Sequence, residues 1–211
     1  ILRRPFVQLT DDADPELVIA PGIVADAVGY MLGAFHRGDF HRSQLTPKMN
    51  KWAGRASDRR GHQFALEVAG RMAELGWQTR VEEKITALLG KGFPINYGDV
   101  DVLAWKPDTG RVVVIECKDV QYRKTDGEIA EQLADFRGIE VDGKRDLLLK
   151  HLNRLEVIRQ HADEVQKSLS LTVHPMIEGE LIFRNPVPMQ FAWEQLRAKT
   201  ELHVFSTLHM I

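Results

Sequence analysis

The chain has 211 residues, of which 44% are hydrophobic, with 28 Lys or Arg against 30 Asp or Glu and one cysteine. This length and composition indicate one globular domain, or one domain with a helical appendage, and exclude a disordered or fibrous chain. The single cysteine excludes a disulfide framework and a cysteine-rich zinc cluster, which favours a reducing, cytoplasmic location.

No apolar run reaches the roughly 20 residues of a membrane span, so we expect no membrane partner. The first residue is Ile1 rather than Met, which is compatible with a piece of a longer parent chain. The rest of that chain would then be a partner.

The first forty residues are predicted to be helical. Asp14-Pro15-Glu16 has the features of a helix start, and a second run, with apolar residues on one face, follows the interruption at Pro21-Gly22. We interpret residues 1–58 as a helical extension, which serves either as a packing unit or as an oligomerisation arm in a homodimer.

A basic segment, residues 41–62, carries six Lys or Arg against one acid, Asp58. Its formal charge of +5 leaves −7 on the remainder, so the near-neutral chain contains a strongly basic stretch. Such a segment suits a phosphate backbone, although a solvated loop explains the charge equally well. The nucleic-acid-binding residues predicted here are Lys48, Lys51, Arg55, Arg59 and Arg60.

Residues 59–211 are predicted to form a mixed α/β domain with a sheet covered by helices. Hydrophobic periodicity and turn residues set the order of its elements. They predict helices over 60–75, 128–136, 144–168 and 191–199, and strands over 77–85, 97–105, 111–118, 171–177, 180–183 and 204–208.

The second and third strands bring charged residues together. If the turn between them places Lys106 opposite Arg111, then Asp101 lies directly opposite Glu116, on the same face of the sheet. Lys118 shares that face with Glu116. The sequence therefore predicts two carboxylates and an ammonium in one small patch at the end of a buried strand.

Paired carboxylates repel each other, and a divalent cation with oxygen ligands relieves that repulsion. Asp101, Glu116 and the backbone carbonyl of Cys117 are the predicted ligands, with Mg²⁺ or Mn²⁺ as the ion. Lys118 would orient or deprotonate the attacking water and stabilise developing charge. A purely structural salt bridge is the alternative interpretation of these residues.

The string from Gly98 to Trp105, a short turn, and the string Val112 to Lys118 resemble the core of the restriction-endonuclease-like, or PD-(D/E)XK, nuclease superfamily. The resemblance covers about residues 61–136 and has the same order of helix, three strands and helix. It implies a restriction-endonuclease-like mixed sheet flanked by helices. It also implies that Asp101 and Glu116 are metal ligands and that Lys118 is the catalytic lysine.

The chain departs from the family pattern at two helices. Related nucleases often carry a glutamate directly after an aromatic residue on the first core helix, whereas here Phe64 is followed by alanine, and the nearest acid is Glu67. Glu67 is an accessory-ligand candidate, with a surface role as the alternative. Gln132 and Phe136 have the spacing of an exonuclease-like motif, with a polar boundary residue and a core phenylalanine as the alternative.

The expected function is magnesium-dependent hydrolysis of nucleic acid, DNA in preference to RNA. Arg123 and Lys124, just after the lysine strand, are further candidates to hold substrate phosphates, and a solvated loop would explain them equally well. The alternative function is a catalytically inactive domain of the same fold that binds nucleic acid or protein within a larger assembly.

Overall fold

The computed structural model describes residues 6–38, 45–120, 125–192 and 200–210. The chain forms two compact units, Ile1–Arg60 and Gly61–Ile211. Within the described ranges, no helix is long and apolar enough to cross a lipid bilayer.

The first unit begins with a β-hairpin rather than the predicted helix at Asp14. Strands β1 (Phe6–Gln8) and β2 (Leu17–Ile19) pair antiparallel, and the loop is closed by the Leu9 N–H, which donates to the Glu16 carbonyl at 2.8 Å. The proline after Asp14 disfavours a helical backbone at that residue, so the apparent helix start lies in a loop.

Helix α1 (Pro21–Arg37) starts at the proline that the sequence analysis interpreted as a helix interruption. Proline is well suited to the first turn because it fixes φ and its missing N–H is not needed there. Gly38 ends the helix with φ of 72°, and a Cβ at this position would lie 2.6 Å from the carbonyl oxygen of Ala53. Phe35 stacks on Trp52 with 4.1 Å between ring centroids, so Trp52 is engaged in packing.

Helix α2 (Pro47–Glu74) is much longer than predicted. Most of the basic segment forms its first half and is therefore helical rather than a loop. The helix predicted over 60–75 is confirmed as its second part, where Phe64, Val68 and Met72 are fully buried against the sheet.

The second unit is built on a five-stranded mixed sheet. Its strands, in spatial order, are β3 (Gln78–Lys84), β4 (Asp99–Lys106), β5 (Arg111–Lys118), β8 (Met176–Phe183) and β9 (Glu201–Val204). The first three form an antiparallel meander, whereas β8 and β9 add in parallel. The predicted mixed α/β class is confirmed, and the specific restriction-endonuclease-like fold stays a prediction.

The β4–β5 hairpin has the predicted register. Lys106 lies opposite Arg111, and the pairing continues to Val102 opposite Ile115. The buried strand Arg111–Lys118 has the predicted limits in the structure.

Helices cover both faces of this sheet. On one face lie α3 (Ile85–Leu88), α5 (Leu147–Gln160) and α6 (Ala162–Ser168). On the other lies the second half of α2, together with the 3-10 helix Phe205–Met210. Helices α4 (Asp126–Ala134) and α7 (Met189–Ala192) complete the described helices.

Three predictions for the C-terminal half are wrong. The long helix predicted from residue 144 is preceded by a small hairpin, β6 (Glu140–Val141) and β7 (Lys144–Arg145), and is divided at His161. The two strands predicted between 171 and 183 are one strand, β8. The strand predicted at 204–208 lies earlier, as β9, and most of the helix predicted at 191–199 lies outside the described residues.

Candidate active site

Asp101 and Glu116 project from neighbouring strands toward the sheet face that α5 covers. The hairpin register, continued by one residue beyond Val102, places them directly across from each other. Asp101 Oδ2 accepts a hydrogen bond from the backbone N–H of Cys117 at 2.7 Å. The bond fixes one carboxylate against the strand that carries the other.

Glu116 is held between two cations. Lys118 Nζ lies 2.5 Å from its Oε1, and Arg154 Nη1 lies 2.7 Å from its Oε2. Only 6% of the Glu116 side chain is exposed, so these contacts form away from bulk water. Buried charges need such partners, because removing an ion from water costs several kcal/mol.

Arg154, which the sequence analysis missed, reaches the site from α5. Its guanidinium also donates to the backbone carbonyl of Asp99, at the start of β4. One side chain thus ties the helix to both strand ends. No sequence spacing marks this residue, because the approach of α5 depends on the tertiary fold.

The electrostatic environment shifts the pKa values of the two carboxylates in opposite directions. Burial and the charge of Glu116 raise the pKa of Asp101 to about 6. Burial also opposes ionisation of Glu116, but the charges of Lys118 and Arg154 outweigh it and lower the pKa of Glu116 to about 2. Negative charge at Asp101 is therefore only partly compensated by the protein itself.

Lys118 is protonated at neutral pH. Burial acts to lower its pKa, but the carboxylates of Glu116 and Asp101 outweigh burial and raise the pKa above the ordinary value. An ammonium donates hydrogen bonds and stabilises negative charge, but it cannot accept a proton. In this arrangement Lys118 is suited to orient a water molecule rather than to deprotonate it.

The site opens into a cleft of about 760 Å³. Asp101 and Glu116 line this cleft together with several cations that were not predicted from the sequence. The lining residues are Asn96, Tyr97, Gly98, Asp99, Asp101, Glu116, Gly143, Lys144, Arg145, Lys150 and Arg154.

The site can contribute two carboxylates to a cation. In the part of the chain that the structure describes, no group of three or more His, Cys, Asp or Glu converges on one point. Two carboxylates fit Mg²⁺, which is commonly held by one or two carboxylates, waters and substrate phosphates. The partly uncompensated charge of Asp101 gives a cation a physical reason to bind there.

Cys117 directs its side chain to the face opposite Glu116 and Lys118. It is 6% exposed and packs in the core beneath α2. Burial, together with the charges of Asp101 and Glu116, raises the pKa of the thiol well above its usual range. The Cys117 side chain is therefore a core residue rather than part of the site.

The structure does not bring Glu67 into the carboxylate pair. Glu67 lies on α2, and its two carboxylate oxygens accept hydrogen bonds from Arg184 at 2.8 and 3.0 Å. Arg184 also pairs with Asp119 at 3.2 Å and stacks over the ring of Phe64. Glu67 therefore takes part in a surface-side network on the α2 face of the sheet.

Gln132 and Phe136 lie in and just after α4. Gln132 is 5% exposed and does not line the cleft. Phe136 packs edge-to-face on Phe183 with 5.3 Å between ring centroids. These positions agree with the alternative interpretation, a polar boundary residue beside a core phenylalanine.

His151 is a second buried polar residue of α5. It is 1% exposed, and its Nε2 lies 3.5 Å from the hydroxyl of Thr200. Burial lowers its pKa to about 4, and the positive charge of Arg154 acts in the same direction against the opposing effect of Glu116. His151 is thus a neutral packing residue behind the site at physiological pH.

The basic segment forms an ordered stripe on the first half of α2. Lys48, Lys51, Arg55 and Arg59 are all exposed, and helical geometry places them within an arc of about 80°. Arg60 points elsewhere, because its guanidinium donates to the carbonyl of Arg37 at 3.2 Å. The two other predicted phosphate contacts, Arg123 and Lys124, lie outside the described residues.

Fold and site together define a mixed α/β protein with paired carboxylates and an arginine in an open cleft, and with Lys118 beside Glu116. The whole chain, residues 1–211, matches a family described as anti-phage protein Upx-like, and it belongs to this Upx-like family. Comparison with curated proteins and with solved structures gives no match. The resemblance to PD-(D/E)XK nucleases stays a prediction.

Proposed function

We propose that this Upx-like protein acts in phage defence as a metal-dependent nuclease that hydrolyses phosphodiester bonds, in DNA rather than RNA. The observation that carries the proposal is the pair Asp101 and Glu116 with Lys118 beside it, at the open end of two buried strands. Membership of an anti-phage family supports the biological setting.

The chemistry follows from the roles that these side chains can take. Asp101 and Glu116 would hold a Mg²⁺ or Mn²⁺ ion, which supplies Lewis-acid activation of the phosphodiester and of water. Lys118, as an ammonium, would orient the attacking water and stabilise charge that develops on the phosphoryl oxygens. The carbonyl of Cys117 remains the third predicted ligand.

Arg154 adds a role that the resemblance alone does not provide. It shares Glu116 with Lys118 and faces the cleft, so it can exchange that carboxylate for a substrate phosphate. Arginine suits this exchange because its planar guanidinium matches carboxylate and phosphate oxygens alike.

The test combines cleavage with phage protection. Purified protein is incubated with linear duplex DNA, single-stranded DNA and RNA, with Mg²⁺ or Mn²⁺ and with EDTA. We expect metal-dependent cleavage that Lys118→Ala abolishes while circular dichroism stays unchanged. Lys91→Ala, which removes a partly exposed lysine paired with Glu164, is the matched control. Cells that express Lys118→Ala should lose protection against phage, whereas Lys91→Ala should retain it.

One observation favours a second candidate, a nuclease-like domain that binds nucleic acid without cutting it. Both oxygens of Glu116 are already paired with cations, and Glu67 is engaged by Arg184. In that case Lys118→Ala would leave phage protection intact, and no metal would promote cleavage of any substrate. Binding without cleavage by the unaltered protein would decide for this alternative.

A further inference from the structure

Four cations line the cleft together with the carboxylates: Lys144 and Arg145 of β7, and Lys150 and Arg154 of α5. We call these four residues the basic wall. We propose that the basic wall binds the phosphate backbone of a nucleic acid strand and leads it to Asp101 and Glu116. This inference rests on the proposed function, but it concerns binding and is separable from cleavage.

The basic wall is held in a fixed geometry. Asp142 and Gly143 have φ values of 51° and 72°, as in a type I′ turn, which favours a tight hairpin between β6 and β7. At the base of the hairpin, Asp146 accepts from the N–H of Ile139 at 2.9 Å and caps α5 through the N–H of Leu149 at 2.8 Å. One carboxylate thus joins the hairpin to the helix, so all four cations sit on one preorganised support.

Two of the four cations are available for a ligand. Lys144 and Lys150 are exposed, and within the described ranges neither ammonium has an ion-pair partner. Arg145 pairs with Glu140 at 3.3 Å, but both side chains are about half exposed, and such contacts contribute little. Lys144, Arg145 and Lys150 can therefore accept phosphates without first breaking strong internal contacts, whereas Arg154 must exchange its contact with Glu116.

The spacing along α5 suits a polymer rather than a single anion. Lys150 and Arg154 lie one helical turn apart, a rise of about 6 Å. A nucleic acid strand carries one phosphate per roughly 3.4 Å of helix axis, so the two residues span about two phosphates. Since Arg154 contacts Glu116, the phosphate nearest Arg154 would lie beside the carboxylate pair.

The test measures binding in EDTA, where cleavage is blocked. A fluorescein-labelled single-stranded DNA oligonucleotide is titrated with the unaltered protein and with Lys144→Gln/Lys150→Gln, and anisotropy is followed over a range of salt concentrations. We expect binding to weaken by about tenfold or more. The slope of log affinity against log salt should become shallower by about 1.4, from roughly 0.7 per lost phosphate contact.

The matched control is Arg71→Gln/Lys167→Gln, which makes the same change in net charge at positions that do not line the cleft. It should keep the affinity and the slope of the unaltered protein. An RNA oligonucleotide of the same sequence forms a second arm. If the variant loses similar affinity for DNA and for RNA, the basic wall binds the phosphate backbone that both polymers share. If it loses affinity for one polymer alone, that polymer is the ligand of the basic wall.

The outcomes separate this inference from the proposed function. If the wall variant binds with unchanged affinity and slope, the wall assignment is wrong, even if the unaltered protein cuts DNA. If the wall variant loses binding but the unaltered protein cuts nothing in Mg²⁺ or Mn²⁺, the nuclease proposal fails and the wall assignment stands.

Discussion

The guanidinium of Arg154 lies 2.7 Å from the buried carboxylate of Glu116, so a helix residue completes a site whose acidic members lie on β4 and β5. The contact neutralises Glu116 in the metal-free protein. A divalent cation that binds Glu116 must therefore compete with Arg154 as well as with Lys118.

That competition predicts the effect of Arg154→Gln. Loss of one cationic partner should destabilise the metal-free protein by about 2 kcal/mol, less than the 3–5 kcal/mol of a fully broken buried pair, because Lys118 remains. Mn²⁺ should then raise the melting temperature more than in the unaltered protein. Differential scanning fluorimetry with and without Mn²⁺ measures both effects.

Arg159→Gln is the matched control for this variant. Arg159 belongs to the same helix and donates to the carbonyl of Ile177 at 3.0 Å. Its loss should lower the melting temperature without enlarging the response to Mn²⁺. Equal responses to Mn²⁺ in both variants would show that Arg154 does not compete with the ion.

Asp101 and Glu116 should have opposite effects on stability when neutralised. The pKa of Asp101 is raised to about 6, so its ionised form destabilises the fold as pH rises from 3.8 through 6. In EDTA above pH 7, Asp101→Asn should therefore stabilise the protein by up to about 3 kcal/mol, with no gain below pH 4.

Glu116→Gln should do the reverse. The pKa of Glu116 is lowered to about 2, so the stabilisation by its charge is present above pH 4.5 and is lost as pH falls through 2. Urea unfolding at several pH values tests the pair of variants. Two variants that shift stability in the same direction at neutral pH would contradict this assignment of charges.

A second pH effect is predicted at Glu180 on β8, which pairs with Ile115 of β5. It is 5% exposed, and burial together with the charges of Glu178 and Glu201 raises its pKa to about 7, against the opposing charge of Arg111. The neutral carboxyl form of Glu180 stabilises the fold. This stabilisation is fully present below pH 4.5 and is lost as pH rises through 7.

Glu180→Gln should therefore raise the free energy of unfolding by about 3 kcal/mol at pH 8 relative to the unaltered protein, and change it little at pH 4. Chemical denaturation at both pH values measures the difference. Glu178→Gln provides the comparison, because Glu178 is partly exposed and pairs with Arg111 at 3.1 Å. A gain at pH 8 that is no larger for Glu180→Gln than for Glu178→Gln would count against the burial argument.

Gly179 allows α5 to approach the sheet closely. A Cβ at this position would lie 2.6 Å from Leu155 Cδ2 and 3.1 Å from His151 Nε2. Gly179→Ala should destabilise the protein by about 1–3 kcal/mol through overpacking. Because α5 carries Arg154, the variant should also weaken oligonucleotide binding. Gly127→Ala, at a helix position with open space around it, should neither destabilise the protein nor weaken binding.

The meander and its charged residues could be predicted because their determinants are local. A five-residue turn signal fixed the β4–β5 register, and the register brought Asp101 to Glu116. The N-terminal hairpin was missed because Asp14-Pro15-Glu16 also has the composition of a helix start. At Asp14, the steric effect of Pro15 on the preceding residue disfavours the helical backbone conformation.

Arg154 and the basic wall could not be found in the same way. Arg154 approaches Glu116 only after α5 packs on the sheet, and nothing in its local spacing encodes that contact. The β6–β7 hairpin did carry a signal, the dipeptide Asp142-Gly143, which favours a type I′ turn. The helical pattern that follows it led to the prediction of a helix from residue 144.

The order of strands in the sheet also bears on how the site assembles during folding. Strands β4 and β5 are joined by a tight turn, so the loop-closure entropy of their pairing is small. The parallel pairing of β5 with β8, and the docking of α5 between them, requires a crossover of many residues and forms later. Local pairing alone therefore brings the two carboxylates together, whereas the contact of Arg154 with Glu116 depends on the long-range step.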